Sequence, residues 1–135
     1  MRKTRGKRAK ASTGASEAGP QRPAVRAKFQ LSFGPRTLFG DGKARLLEEV
    51  DRLGSLRAAA ASMDMSYRHA WGLLRELEQA AGIALLEHAA PGPRSRLRLT
   101  PEGRRLLAAW HAFRDPLDEL VSRHFRRHFG ARRRS

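Results

Sequence analysis

The apolar positions of this chain change period several times. Phe29, Leu31 and Phe33 alternate with Lys28, Gln30 and Ser32, the period of a half-buried strand, and Gly34-Pro35 closes that run with a turn signal. From residue 43 the spacing becomes helical, with Leu46, Leu47, Val50 and Leu53 on one side and Glu48, Glu49 and Asp51 on the other. Asp41-Gly42 leads into this helix and Gly54 stops it. Ser55 is placed to cap a second, short helix over residues 56–63, built largely from Ala58, Ala59, Ala60 and Ala61. Four small residues in succession let neighbouring helices approach closely. A three-residue turn centred on Asp64 follows, and Ser66 is the N-cap expected for a longer helix ending at Gly82.

That longer helix has two unlike faces. Ala70, Leu74, Leu77 and Ala81 share one, and Tyr67, Arg68, Trp71 and Arg75 fall on the roughly opposite one. An exposed helix face is ordinarily plainly polar. One that mixes aromatic and basic side chains suits base edges lying between two phosphate rails. Two helices joined by a tight turn, the second presenting such a face, make a helix-turn-helix.

Beyond Gly82, residues 84–88 are apolar enough for a short strand, and Pro91-Gly92-Pro93 forces a loop. Residues 96–99 then alternate arginine with leucine, giving a hairpin whose Arg94, Arg96 and Arg98 form a cationic edge beside the helix. Thr100-Pro101-Glu102-Gly103 starts a last helix: a threonine cap, proline at the first helical position and an acid in the first turn. It carries Leu106, Leu107, Trp110 and Phe113 on one face. Asp115-Pro116 predicts a break and a fresh cap, after which Leu117, Leu120, Val121 and Phe125 continue the apolar stripe. So much apolar surface at the end of a small domain predicts a symmetric dimer, formed through the first helix and this last one.

Charge sharpens the partner. The chain of 135 residues has a net charge of +15. Residues 1–28 hold nine Lys/Arg and one acid, residues 122–135 six Arg and none, and the body between them is nearly neutral. Basic blocks at both ends of a neutral body read as arms drawn to a polyanion. Residues 1–27 offer almost nothing to bury and are expected to be a disordered arm. Residues 28–126 form the domain, and 127–135 a basic tail.

Several chemistries are excluded or disfavoured. Without cysteine there is no disulfide, thiolate catalyst or cysteine zinc site. The Gly-Asp-Gly-Lys run at residues 40–43 is not a phosphate-binding loop, because Ala44 stands where Ser or Thr is required. His69, His88, His111, His124 and His128 lie near no carboxylate pair or activated serine in sequence, so no enzyme, cofactor or metal is expected. His124 and His128 share a helix face but have no further ligand in view. The longest uncharged stretch is too short for a bilayer, and no apolar segment follows the basic N-terminus as a secretory signal would require. A cytoplasmic, nucleoid-associated protein is expected.

Residues 54–110 resemble the winged helix-turn-helix of LysR-type regulators, and more closely the DNA-binding domain of ModE-type molybdenum-dependent regulators. Gly54-Ser55, the alanine-rich helix, Ser66-Tyr67, Ala70-Trp71 and the Leu-Thr-x-x-Gly at residues 99–103 carry the likeness. It extends over about residues 28–125. The resemblance implies a mainly α fold with a small β-hairpin, a long C-terminal helix and a homodimer on duplex DNA. It implies the DNA-binding half of a regulator without the molybdate- or effector-binding domain, and molybdate binding is not expected.

The DNA-binding set expected from this reading is Ser55, Arg57, Ser66, Tyr67, Arg68, His69, Trp71, Arg75, Arg94, Arg96 and Arg98. Arg68 and Arg75 are the candidates for guanine, while Tyr67 and Trp71 suit thymine methyls or the sugar-phosphate. Trp71 is also expected to lie partly buried against the wing, and His69 to pack beside the second helix. Ser55, Arg57 and Ser66 stand at helix starts, where free amides favour phosphate. An architectural or RNA-binding protein without sequence preference is the rival reading. A module whose last helix docks another protein is a third.

Overall fold

Helix α1 (Asp41–Leu53) organises the domain, because its apolar residues Ala44, Leu46, Leu47 and Val50 are all buried. In the computed structural model, which describes residues 19–130, three further helices and two hairpins assemble around it. Gly54 ends α1 in a left-handed conformation, φ 76°, which a side chain would strain. Ser55 caps α2 (Leu56–Ser62), accepting a 3.0 Å hydrogen bond from the Ala58 amide. Ala59 and Ala60 are the buried pair of the alanine run, whereas Ala58 and Ala61 face out. Ser62 donates to Glu49, which ties α2 back onto α1.

The turn into α3 (Tyr67–Ala81) holds Asp64 at φ 59°, a left-handed conformation that aspartate tolerates better than most residues. Met63, Asp64 and Met65 all donate their amides to carbonyls at the end of α2, so the turn is closed by hydrogen bonds. α3 buries Ala70, Leu74 and Leu77 and stops at Gly82, φ 71°.

Two antiparallel hairpins flank the helices. β1 (Leu31–Phe33) pairs with β2 (Thr37–Phe39), and β3 (Leu86–His88) with β4 (Leu97–Leu99). The alternation from Phe29 to Phe33 is realised, with the apolar residues half-buried and Lys28, Gln30 and Ser32 exposed. Its partner β2 carries no sequence signal of comparable length. It nonetheless buries Thr37 and Phe39, and the Phe39 ring meets Trp110 edge-on at 5.4 Å.

α4 (Pro101–Phe129) departs from expectation in two ways. It runs unbroken through Pro116, and it passes the domain boundary expected at residue 126. Proline removes one backbone donor from the ladder. The Arg114–Asp118 contact, 2.9 Å, spans it, and the His111–Asp115 contact, 3.6 Å, braces the turn before it along the same helix face. The aspartate at 115 therefore caps no new helix. The start of α4 matches expectation: Thr100 accepts from the Gly103 amide at 2.9 Å.

α4 runs antiparallel along α1. The Leu99 amide donates to Asp51 at 3.0 Å, His111 meets Glu48, and Arg114 reaches Asp41 at 3.4 Å. Trp110, 1 % exposed, fills the space between and donates its indole N–H to Asp41. Residues 19–30 run without helix or strand, and Arg114 stacks its guanidinium 5.2 Å above the Phe29 ring. Expectations for residues 1–18 and 131–135 lie outside the described residues. Among those described, no helix is long and apolar enough to cross a membrane.

Candidate nucleic-acid interface

α3 is seated on the core by Ala70, Leu74 and Leu77, so the opposite face is turned to solvent. Tyr67, Arg68, His69, Trp71 and Arg75 are all exposed, Tyr67 by 40 % and Trp71 by 48 %. His69 thus does not pack beside α2. The reason is local: as the third residue after the cap it gives its amide to Ser66 Oγ, 3.0 Å, and its side chain points with the exposed face.

Two of the cations are stacked on aromatic rings. The Arg57 guanidinium lies 4.4 Å above the Tyr67 ring and that of Arg75 lies 5.2 Å from the Trp71 centroid. Stacking fixes the guanidinium planes while leaving their N–H edges free to donate. Arg57, Tyr67, Trp71 and Arg75 therefore form a continuous row across α2 and α3.

An open cleft of about 600 Å³ separates this row from the β3–β4 wing. Tyr67, Trp71 and Arg75 line its helical wall, and Pro93, Arg94 and Ser95 its wing wall. Trp71 faces the wing but stays about half exposed. Arg68 opens to the other side of α3, where it shares a shallow surface with His69, Gly72 and Glu76. Arg68 and Arg75 accordingly address different flanks of the helix.

The three wing arginines have three different situations. Arg94 is exposed at the cleft mouth. Arg98 pairs with Glu87 across the hairpin at 3.0 Å. Arg96 donates from Nη2 to the carbonyls of Asp51 at 2.7 Å and Arg52 at 2.9 Å, closing the C-terminal end of α1. A cation is favoured there by the helix dipole.

Residues without a sequence signal complete the site. Glu78 accepts the Leu85 amide at 2.8 Å and so fixes the end of α3 to the root of the wing. Ser95 contacts His88 Nδ1 at 3.2 Å near the wing tip. A lone acid or serine on a polar surface predicts neither contact.

Titratable groups with shifted values lie away from the cleft. His111 is raised above the ordinary imidazole value, chiefly by its hydrogen bond to Glu48, with Asp115 adding to the effect. Glu49 is lowered, first of all by its hydrogen bond to Arg52. The His124 and His128 rings stand 4.7 Å apart, and among the described residues no third His, Asp or Glu joins them into a metal-sized group.

Residues 42–104 match the model of the bacterial regulatory helix-turn-helix protein, lysR family. The chain is similar to the molybdenum transport protein ModE of Azotobacter vinelandii, 31 % identical over 102 residues, covering 72 % of this chain and 38 % of that protein. It is similar also to the molybdenum-pterin-binding protein MopB of Rhodobacter capsulatus, 32 % identical over 85 residues, covering 62 % of this chain and 31 % of that one. The chain thus spans about a third of the length of these relatives. Among solved structures, the BenM_DBD/benA site 1 DNA complex has a TM-score of 0.51 at 24 % identity over 67 % of this chain and 97 % of its own. The CbnR_DBD-DNA complex has a TM-score of 0.50 at 20 % identity, covering 62 % and 91 %. The fold is a winged helix-turn-helix.

Proposed function

We infer that this chain, whose residues 42–104 match the model of the bacterial regulatory helix-turn-helix protein, lysR family, is a DNA-binding transcriptional regulator that reads duplex DNA with α3. One observation carries the reading. The solvent face of a helix anchored by Ala70, Leu74 and Leu77 presents Tyr67 and Trp71, which carry the guanidiniums of Arg57 from α2 and Arg75 from α3, beside an open cleft with a basic wing. In this reading α3 enters the major groove, with Arg68 and Arg75 at base edges and Tyr67, His69 and Trp71 at methyl groups or sugar-phosphate. Ser55, Arg57 and Ser66 meet the backbone from the helix starts, and Arg94 meets it from the wing. Arg96 and Arg98 serve by holding the wing in place, since both already have protein partners.

A homodimer through α1 and α4 suits the exposed Phe113 and Leu120 of α4. It would set two α3 helices in successive major grooves about 34 Å apart. The protein acts as a binder inside the cell rather than as an enzyme, and molybdate is assigned to none of residues 28–129. Selection of bound duplexes from a random pool tests the whole reading. A palindromic consensus with half-sites one helical turn apart is the expected result. Equal recovery of all sequences would favour the architectural alternative, and preferential recovery of RNA would favour an RNA-binding one.

A further inference from the structure

A second charged surface is built at the far end of α4. The helix leaves the wing end of α1, where Leu99 meets Asp51, and reaches the start of α1 where Arg114 meets Asp41. The turns from Arg114 to Phe129 therefore project beyond α1, away from the wing, by about 22 Å at the usual rise per residue. After Glu119 the sequence holds no acid, and the helix displays Arg123, Arg126 and Arg127, all exposed. Among the described residues neither Arg126 nor Arg127 is paired with a carboxylate; Arg123 is, to Glu119 at 3.7 Å.

The N-terminal segment comes to this same end. Phe29 lies under Arg114, whereas Val25 sits in a small apolar hollow with Leu120, Val121, His124 and Phe125. Moving toward lower residue numbers, the chain thus advances toward the tip of α4. Exposed Arg22 and Arg26 flank Val25, and the residues before Gly19 add six Lys/Arg against one acid. The described parts of the two basic blocks, distant in sequence, thus meet: Arg22 and Arg26 adjoin Val25, which sits against the α4 turns that carry Arg123, Arg126 and Arg127. Like charges brought together in this way repel unless a polyanion neutralises them.

We propose that the tip of α4, with Arg123, Arg126, Arg127 and the adjoining Arg22 and Arg26, binds a second segment of double-stranded DNA while α3 occupies the first. The proposal goes beyond the regulator reading and rests on it for the first duplex. Arginine predominates at the tip, and its planar fork suits phosphate oxygens. The tip stands at the end of α4 opposite the wing, so a protein that holds its first duplex with α3 and the wing leaves these arginines for another segment.

The test uses the full chain on beads carrying a 40-base-pair duplex taken from the random-pool selection. After washing, a labelled random duplex of the same length is offered. Wild type should capture it. The exposed triple variant R123Q/R126Q/R127Q should hold the bead duplex within about two-fold yet capture at least about five-fold less of the second. Unchanged capture would overturn the proposal. So would equal loss of both duplexes, which would place these arginines on the first. Displacement of the labelled duplex by transfer RNA, or by phosphatidylserine vesicles, at lower phosphate concentration than by duplex DNA would assign the surface to another polyanion. Should selection return no preferred duplex, the regulator reading fails on its own. The tip is then judged by whether the triple substitution lowers random-duplex binding in an R68A/R75A background, and no further loss there would sink it.

Discussion

Arg96 lies across Gly54, where an added β-carbon would stand 2.8 Å from its side chain. The glycine thus does two things at once: it ends α1 at φ 76° and leaves room for the wing to clamp that end. The Leu97 amide completes the clamp by donating to the Gly54 carbonyl at 2.9 Å. Gly54→Ala should lower stability by roughly 1–3 kcal/mol, from left-handed strain and displacement of Arg96 together. Arg96→Ala should lose about 1 kcal/mol in urea unfolding. Its salt slope for DNA should stay near wild type, because the side chain is already bonded to protein. A slope reduced by about one would show that Arg96 contacts phosphate.

Gly103 is required for space rather than for backbone freedom. A β-carbon there would approach the Leu85 carbonyl oxygen to 2.6 Å, and backbone cannot move aside cheaply. The same junction holds Thr100, whose hydroxyl donates to the Ala84 carbonyl at 2.6 Å. Gly103→Ala should lower stability by about 1–3 kcal/mol in a urea titration. Thr100→Val should lose about 1–2 kcal/mol by removing the cap.

Gly72 is the opposite case. A β-carbon at this position meets nothing within 4 Å, although the residue sits mid-helix on the exposed face of α3. Gly72→Ala should therefore raise the melting temperature, by up to about 1 kcal/mol of helix propensity. On the regulator reading it should at the same time weaken binding to the selected duplex, because DNA approaches here. Increased stability with unchanged DNA affinity would remove Gly72 from the interface.

His111 bridges α1 and α4 through Glu48, and its folded value is raised above the unfolded one. A raised imidazole contributes stability that is fully present below the unfolded value of about 6.5 and is lost as pH rises through the folded one. The difference in unfolding midpoint between wild type and His111→Gln should accordingly be larger at pH 5.5 than at pH 8.5. Glu48→Gln should abolish most of that pH dependence. A difference that does not vary with pH would mean that the contact does not persist in solution.

Arg68 and Arg94 separate reading from attraction. Arg68→Ala should flatten preference at one base position by roughly 1–3 kcal/mol. Arg94→Ala should weaken all duplexes alike and reduce the salt slope by about one. Competition binding against single-base variants of the selected site distinguishes the two. The same uniform loss from both would exclude base recognition by α3.

Much of this molecule is legible in its sequence because the signals are local. Ser55, Ser66 and Thr100 cap helices with their own downstream amides, and Gly54 and Gly82 stop them. The unlike faces of α3 follow from spacing alone. Contacts between distant residues are not legible in this way. Arg96 finds its carbonyls 44 and 45 residues earlier, and an arginine alternating with leucine looks the same whether it meets solvent, phosphate or a helix end. His111 looks solitary until α4 is laid along α1. Pro116 illustrates the converse error. Its helix-breaking tendency is a local rule, and here the helix containing it is long enough and sufficiently bridged by side chains to override that rule.

The two tryptophans occupy opposite environments: Trp110 is 1 % exposed between α1 and α4, and Trp71 is 48 % exposed under Arg75. Their emission is consequently a pair of independent reporters. A red, readily quenched signal from the indole of Trp71 should follow ligand docking, while a blue, protected one from Trp110 should change only when the interior opens. Occupancy and denaturation can then be followed in one cuvette without attaching a dye, with Trp71→Phe isolating the interior signal.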